Sequence, residues 1–211
     1  MSRLELRGWA GPGEERLEVV VEAGDCRSVA VGDPASLLAR VAGFGRPWLW
    51  LRIDDHDLGR LPAAERARSG LATVTGRLPD AAELTVLDVL LLGRPLPGPF
   101  GIRGLAAQPR GDAGVQREAA ARALAGRLGL GPMLDDRLGS LDPRQAAIVD
   151  LARALLGEPR AVVAVAPDDA EAGGWFRRRL ADEAAARGCA ALVVDRVGPP
   201  GRHAGDRLPR P

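Results

Sequence analysis

Four consecutive residues, Asp54-Asp55-His56-Asp57, set three carboxylates around one imidazole. Oxygen and imidazole-nitrogen donors of this kind suit a divalent cation. A working metal site also needs outer partners that orient its ligands, and this loop has no pattern that would supply them. A second candidate is Gly32-Asp33-Pro34-Ala35-Ser36, between a short apolar strand and a helix. A helix N-terminus presents unpaired N–H groups and the positive end of its dipole, so it attracts anions. Ser36 adds a hydroxyl there, whereas Asp33 brings negative charge where a phosphate would need positive potential. The expectation is an ordinary capped helix. Cys26 and Cys189 have no metal-like spacing and read as small buried residues of a reduced protein. His203 falls in the proline-rich segment 198–211, expected to be a flexible tail.

Charge and composition narrow the classes of function. The 211 residues include 29 basic and 28 acidic side chains, a net charge of +1, and they are interspersed, so nothing points to nucleic acid. Every basic residue is arginine, which leaves no lysine for a phosphate. The apolar run Val89–Leu92 with its flanks is far too short to cross a bilayer. No signal peptide precedes the charged start Met1-Ser2-Arg3. The expected setting is cytoplasmic, as one domain over 1–211, with membrane association only through a partner.

These residues need elements to hold them. Leu4–Arg7 and Leu17–Glu22 alternate apolar and polar side chains, as an antiparallel pair would, and Trp48–Ile53 alternates in the same way. Ser28–Val31, Leu71–Thr75, Ala161–Val165 and Ala190–Val194 are short apolar runs. Of these, Ala161–Ala166 has no polar alternation at all, the mark of a strand buried on both faces. Asp142 before Pro143 makes an N-cap with proline at the first helical position. Ile148, Leu151, Ala152 and Leu155 then line one helical face, and Gly157 and Pro159 end it. Thr85 and Asp88 form a capping box. Gln116–Leu130 reads as a helix, and 94–112 as a Pro/Gly-rich loop. Trp175, Phe176, Leu180 and Ala184 fall at helical spacing and read as core packing.

Leu151-Ala-Arg-Ala-Leu-Leu-Gly-Glu-Pro-Arg160 and Glu83-Leu-Thr-Val86 carry a family resemblance. In this order and spacing, the chain resembles the ATP-binding subunits of ABC transporters from Leu4 to about Leu208. Phe100–Arg110 resembles an insertion in the ATPases of branched-chain amino acid importers. The resemblance implies an α/β, P-loop-NTPase-like fold with a mainly parallel sheet, a small antiparallel N-terminal edge and a helical subdomain over about 84–137. It makes Asp57, Leu58, Gly59, Leu61 and Pro62 part of a family turn, so a metal is not expected there. ATP and magnesium are the cofactors it implies, and an intact ATPase subunit or a membrane permease the partners.

Position by position, the chemistry departs from the family. The phosphate loop maps to Gly32, Asp33, Pro34, Ala35 and Ser36, with Pro34 at or near the lysine. Leu141 and Gln145 keep the ends of the signature, but its serine and glycines are Asp142, Pro143 and Arg144. The catalytic acid pair is Val165-Ala166, the coupling glutamine is Gly76, and the switch histidine is Arg196. The adenine-stacking aromatic falls within Gly11-Pro12-Gly13. Phosphoryl transfer depends on positioning and charge stabilisation. The reading is therefore a non-catalytic interaction subunit that binds neither ATP nor magnesium, unless the altered site still binds. The alternative is a weak ATPase completed by a partner's residues in a composite site.

Overall fold

The computed structural model of the chain describes residues 2–9, 16–44, 49–76, 82–92 and 112–197. The segments 11–13, 100–110 and 198–211, and most of the expected loop 94–112, lie outside the described residues. The parallel sheet consists of β3 (Cys26–Val31), β8 (Ala190–Arg196), β7 (Ala161–Val165) and β6 (Leu71–Val74), in that spatial order. All three pairings are parallel. These are the four apolar runs expected to form it.

The uninterrupted hydrophobicity of β7 has a direct packing cause. Val162 and Ala164 belong to one core, which includes Ile148, Leu151 and Phe176. Ala161 and Val163 belong to a second core on the other face, with Leu37, Leu38 and Val41. Helices α5 (Pro143–Leu155) and α6 (Ala170–Arg187) supply the first layer, and α1 (Pro34–Ala42) the second. Since both faces are covered, no position along β7 favours a polar side chain.

The N-terminal strands form a second sheet, larger than a pair. β1 (Leu4–Trp9) lies between β2 (Arg16–Val21) and β4 (Leu49–Ile53), and β5 (His56–Asp57) completes it. The alternation in β4 turns Leu51 and Ile53 inward beside Leu4 and Leu6, onto the core shared with α1. Outside, Arg7 and Arg52 lie 4.8 and 5.4 Å from the Trp50 ring.

α2 (Ala63–Arg68) links the two sheets. Its Arg66 is only 5% exposed. The guanidinium donates to the carbonyls of Arg40, Val41, Gly59 and Leu61 at 2.6–2.9 Å, two of them at the C-terminal end of α1. Burial lowers its pKa and the nearby Asp57 raises it. α1 ends at Gly43 with φ 97°, where a Cβ would come within 2.8 Å of the Ala63 nitrogen. Only glycine fits that close approach.

α3 (Val86–Leu92) starts from the expected box: the Thr85 N–H donates to Asp88 at 3.0 Å, and the Asp88 N–H donates to Thr85 Oγ1 at 3.1 Å. α4 covers Asp112–Arg127, a few residues earlier than its sequence pattern suggests, because Gly129 takes φ 77° and ends the run.

Candidate functional site

The loops at the carboxyl ends of the parallel strands surround a cleft of about 680 Å³. Ligands in open α/β sheets collect at this edge, where connections diverge and leave a crevice. Its floor is made by Thr73, Thr75 and Gly76 at the end of β6 and by Val165 and Ala166 at the end of β7. One wall is α1, through Pro34, Ala35, Leu38 and Ala39; the other is α5, through Pro143 and Ala147. Arg144, Asp168 and Arg196 stand at its mouth.

The N-terminus of α1 is the part of this site most able to hold an anion, and its own cap engages it. Asp33 Oδ1 accepts the Ser36 N–H at 3.1 Å. That carboxylate sits where an anionic ligand's oxygen would sit, so it takes the amide and repels the ligand's charge. Gly32 and Asp33 are exposed, Ser36 is half-buried, and Pro34 and Ala35 reach the cleft.

Leu141 and Gln145 act on the helix that follows them. Leu141 packs partly buried against the larger core. Gln145 and Asp142 cap α5 reciprocally, with N–H to oxygen distances of 2.8 and 2.9 Å. The neighbouring Arg144 reaches the cleft mouth and pairs with Glu171 at 2.9 Å. Arg196 lies 3.7 Å from Asp168. α6 is capped by Asp169, which accepts the Ala172 N–H at 2.7 Å.

Sequence reasoning missed the residue that holds the floor. Asp150 is 0% exposed and interrupts the apolar face of α5. Its Oδ2 accepts the N–H groups of Thr75 at 2.8 Å and Gly76 at 3.2 Å, and the Thr75 hydroxyl at 3.2 Å. Its Oδ1 pairs with Arg153 at 2.6 Å. A lone carboxylate in the sequence Ala-Ile-Val-Asp-Leu-Ala was the available signal, since a buried charge requires partners.

The Asp54–Asp57 cluster disperses. Asp54 accepts the Arg3 N–H at 2.6 Å and pairs with Arg160, while Asp57 accepts the Gly59 N–H at 2.8 Å in its own turn. Asp55, fully exposed, lies 3.5 Å from Arg52, and His56 is exposed. Among the described residues, no three His, Cys, Asp or Glu side chains converge as a metal site would require.

Neither a protein-family model nor a curated protein matches the sequence. Solved structures do match the fold over nearly the whole chain. A nucleotide-free ATP-binding cassette from an ABC transporter superposes with a TM-score of 0.69 at 20% identity, covering 92% of this chain and 81% of its own. The ADP conformation of an ATP-binding cassette gives 0.69 at 20% identity, covering 93% and 82%. An ATP-binding subunit of an ABC transporter gives 0.62 at 17% identity, covering 92% and 79%. The fold is that of an ATP-binding cassette.

Within this cassette fold, the cleft gathers positions that are remote in sequence: Pro34 and Ala35, Gly76, Val165 and Ala166, and Arg196. Leu141 and Gln145 are not among its lining residues. Among the described residues, no helix is long and apolar enough to cross a membrane.

Proposed function

We propose that the chain is a non-catalytic ATP-binding-cassette subunit of an ABC-type transporter, acting as a structural or interaction partner of an intact ATPase subunit or a permease. The observation that carries this reading is the Asp33 carboxylate on the Ser36 amide at the N-terminus of α1. The residues present do not fit magnesium triphosphate. No lysine exists to reach the outer phosphates. Val165 and Ala166 offer neither a magnesium ligand nor a water-positioning carboxylate at the end of β7. Arg144 and Arg196 pair with Glu171 and Asp168 instead.

Against these losses, the elements that give a cassette its shape are intact: the capped α5, the doubly covered β7 and the boxed α3. An assembly subunit needs that shape and does not need hydrolysis. Likeness to branched-chain amino acid importers rests on the sequence of 100–110 and makes such an importer the first partner to try. In that setting the chain would sit at the inner face of the membrane, held by its partner.

Titration calorimetry with magnesium-ATP tests the reading. A dissociation constant no better than millimolar is expected, about 4 kcal/mol, the scale of a few unspecific helix-terminus contacts. Co-expression with the intact cassette and permease of an amino acid importer should give a complex of defined stoichiometry. Micromolar ATP affinity, or phosphate release above background, would overturn the proposal in favour of a weak ATPase working through a composite site.

A further inference from the structure

We propose that the cleft at the carboxyl ends of β6, β7 and β8 is a binding site for an uncharged, mainly apolar small molecule rather than a nucleotide. This rests on the reading that Asp33 and the missing lysine close the site to phosphates. The volume, about 680 Å³, lies inside the range of small-molecule sites, roughly 300–1,000 Å³.

Its chemistry is divided by depth. Leu38, Ala39 and Ala147 face across it, over a floor that includes Val165 and Ala166. Among the described residues of that floor, the polar side chains are Thr73 and Thr75, and the Thr75 hydroxyl already donates to Asp150. Among the described residues, the charged side chains that line the cleft are Arg144, Asp168, Asp169 and Arg196, and each has a partner. Arg144 is 41% exposed beside Glu171, and Arg196 is 55% exposed beside Asp168, itself 79% exposed. Asp169 caps α6.

Among the described residues, the lining arginines Arg144 and Arg196 are paired with Glu171 and Asp168, so an anionic ligand entering this space would have to displace one of those pairs as well as shed its water. A neutral ligand gains from the same walls, through the apolar area it removes from water. The small side chains Ala35, Ala39 and Ala147 leave room beside Leu38 and Phe44 for an apolar ligand, and Thr73 offers it a hydroxyl. The floor is held in place by Asp150, which fixes the Thr75 and Gly76 amides.

The test uses the full chain and the neutral dye Nile red. Saturable binding of one dye per chain is expected, with a fluorescence increase and a blue shift. Amide resonances of Ala35, Ala39, Thr73 and Ala147 should shift on titration. Ala39→Glu places a charge on an exposed position of the wall and should weaken dye binding at least tenfold, while Ala186→Glu, exposed on α6 away from the cleft, should leave it unchanged. The anionic dye anilinonaphthalene sulfonate should bind at least tenfold more weakly than Nile red. If Ala39→Glu does not fold, the shift map on the unaltered chain decides the matter. Absent or unsaturable binding, shifts elsewhere, or equal binding to both variants would overturn the inference and leave the non-catalytic reading standing. Displacement of the dye by 1 mM magnesium-ATP would overturn both.

Discussion

Replacing Asp150 tests whether the floor of the cleft depends on one buried carboxylate. In Asp150→Ala, the amides of Thr75 and Gly76 and the Thr75 hydroxyl lose their shared acceptor, and Arg153 loses its partner. The side chain of Arg153 is 33% exposed and can turn to water, so most of the loss falls on the amides. Breaking a buried charge pair by removing one member costs about 3–5 kcal/mol, and each stranded donor about 1–3. Part of this is recovered if water enters from the cleft, so about 3 kcal/mol is expected for Ala. Asp150→Asn keeps one acceptor oxygen but must turn an NH₂ group toward either Arg153 or the two amides, and should cost about 2 kcal/mol. Urea denaturation at constant slope gives the global loss. Hydrogen exchange at Thr75 and Gly76 gives the local one and should accelerate more than exchange in β3, at the far edge of the sheet. A loss below 1 kcal/mol for Ala, with exchange at Thr75 and Gly76 unchanged, would refute the argument that Asp150 holds this loop.

Arg66→Ala should lower stability by about 3–5 kcal/mol in the same assay, because four carbonyls share its guanidinium; Arg66→Lys should recover less than half of that, since an ammonium has three donors and no planar fork. Ala166→Glu and Val165→Asp should leave phosphate release at background while lowering the melting temperature by the equivalent of about 1–3 kcal/mol, because either adds a charge at the end of a hydrophobic strand where the lining arginines, Arg144 and Arg196, already have partners. Burial raises the pKa of both thiols, Cys26 and Cys189, and their mutual proximity raises that of Cys26 further. With the folded pKa above the unfolded one, this contribution is complete below about pH 8.5 and is lost as pH rises past it. Thermal melts between pH 7 and 10 should fall, and the fall should be shallower in Cys189→Ala; an identical slope would refute the assignment.

Local patterns determined the elements. Asp142-Pro143 specified the start of α5, and Thr85 with Asp88 that of α3, because caps satisfy backbone groups within three or four residues and leave a signature in sequence. The continuous apolar run 161–166 specified β7 as covered on both faces, since only that setting excludes polar side chains throughout. The absence of lysine bounded the phosphate chemistry before any fold was known. What converges was decided by tertiary structure alone. The carboxylates of Asp54, Asp55 and Asp57 are adjacent in sequence yet diverge to Arg160, to Arg52 and to a turn amide. Pro34, Gly76, Ala147, Ala166 and Arg196 are scattered along the chain and line one cleft, because each lies on or next to an element that meets the same edge of the parallel sheet. Asp150 looks like a misplaced charge in a helix until β6 is laid beside α5 and its end presents two amides and a hydroxyl. A buried charge is intelligible only with its partners, and here those partners lie 74 and 75 residues away.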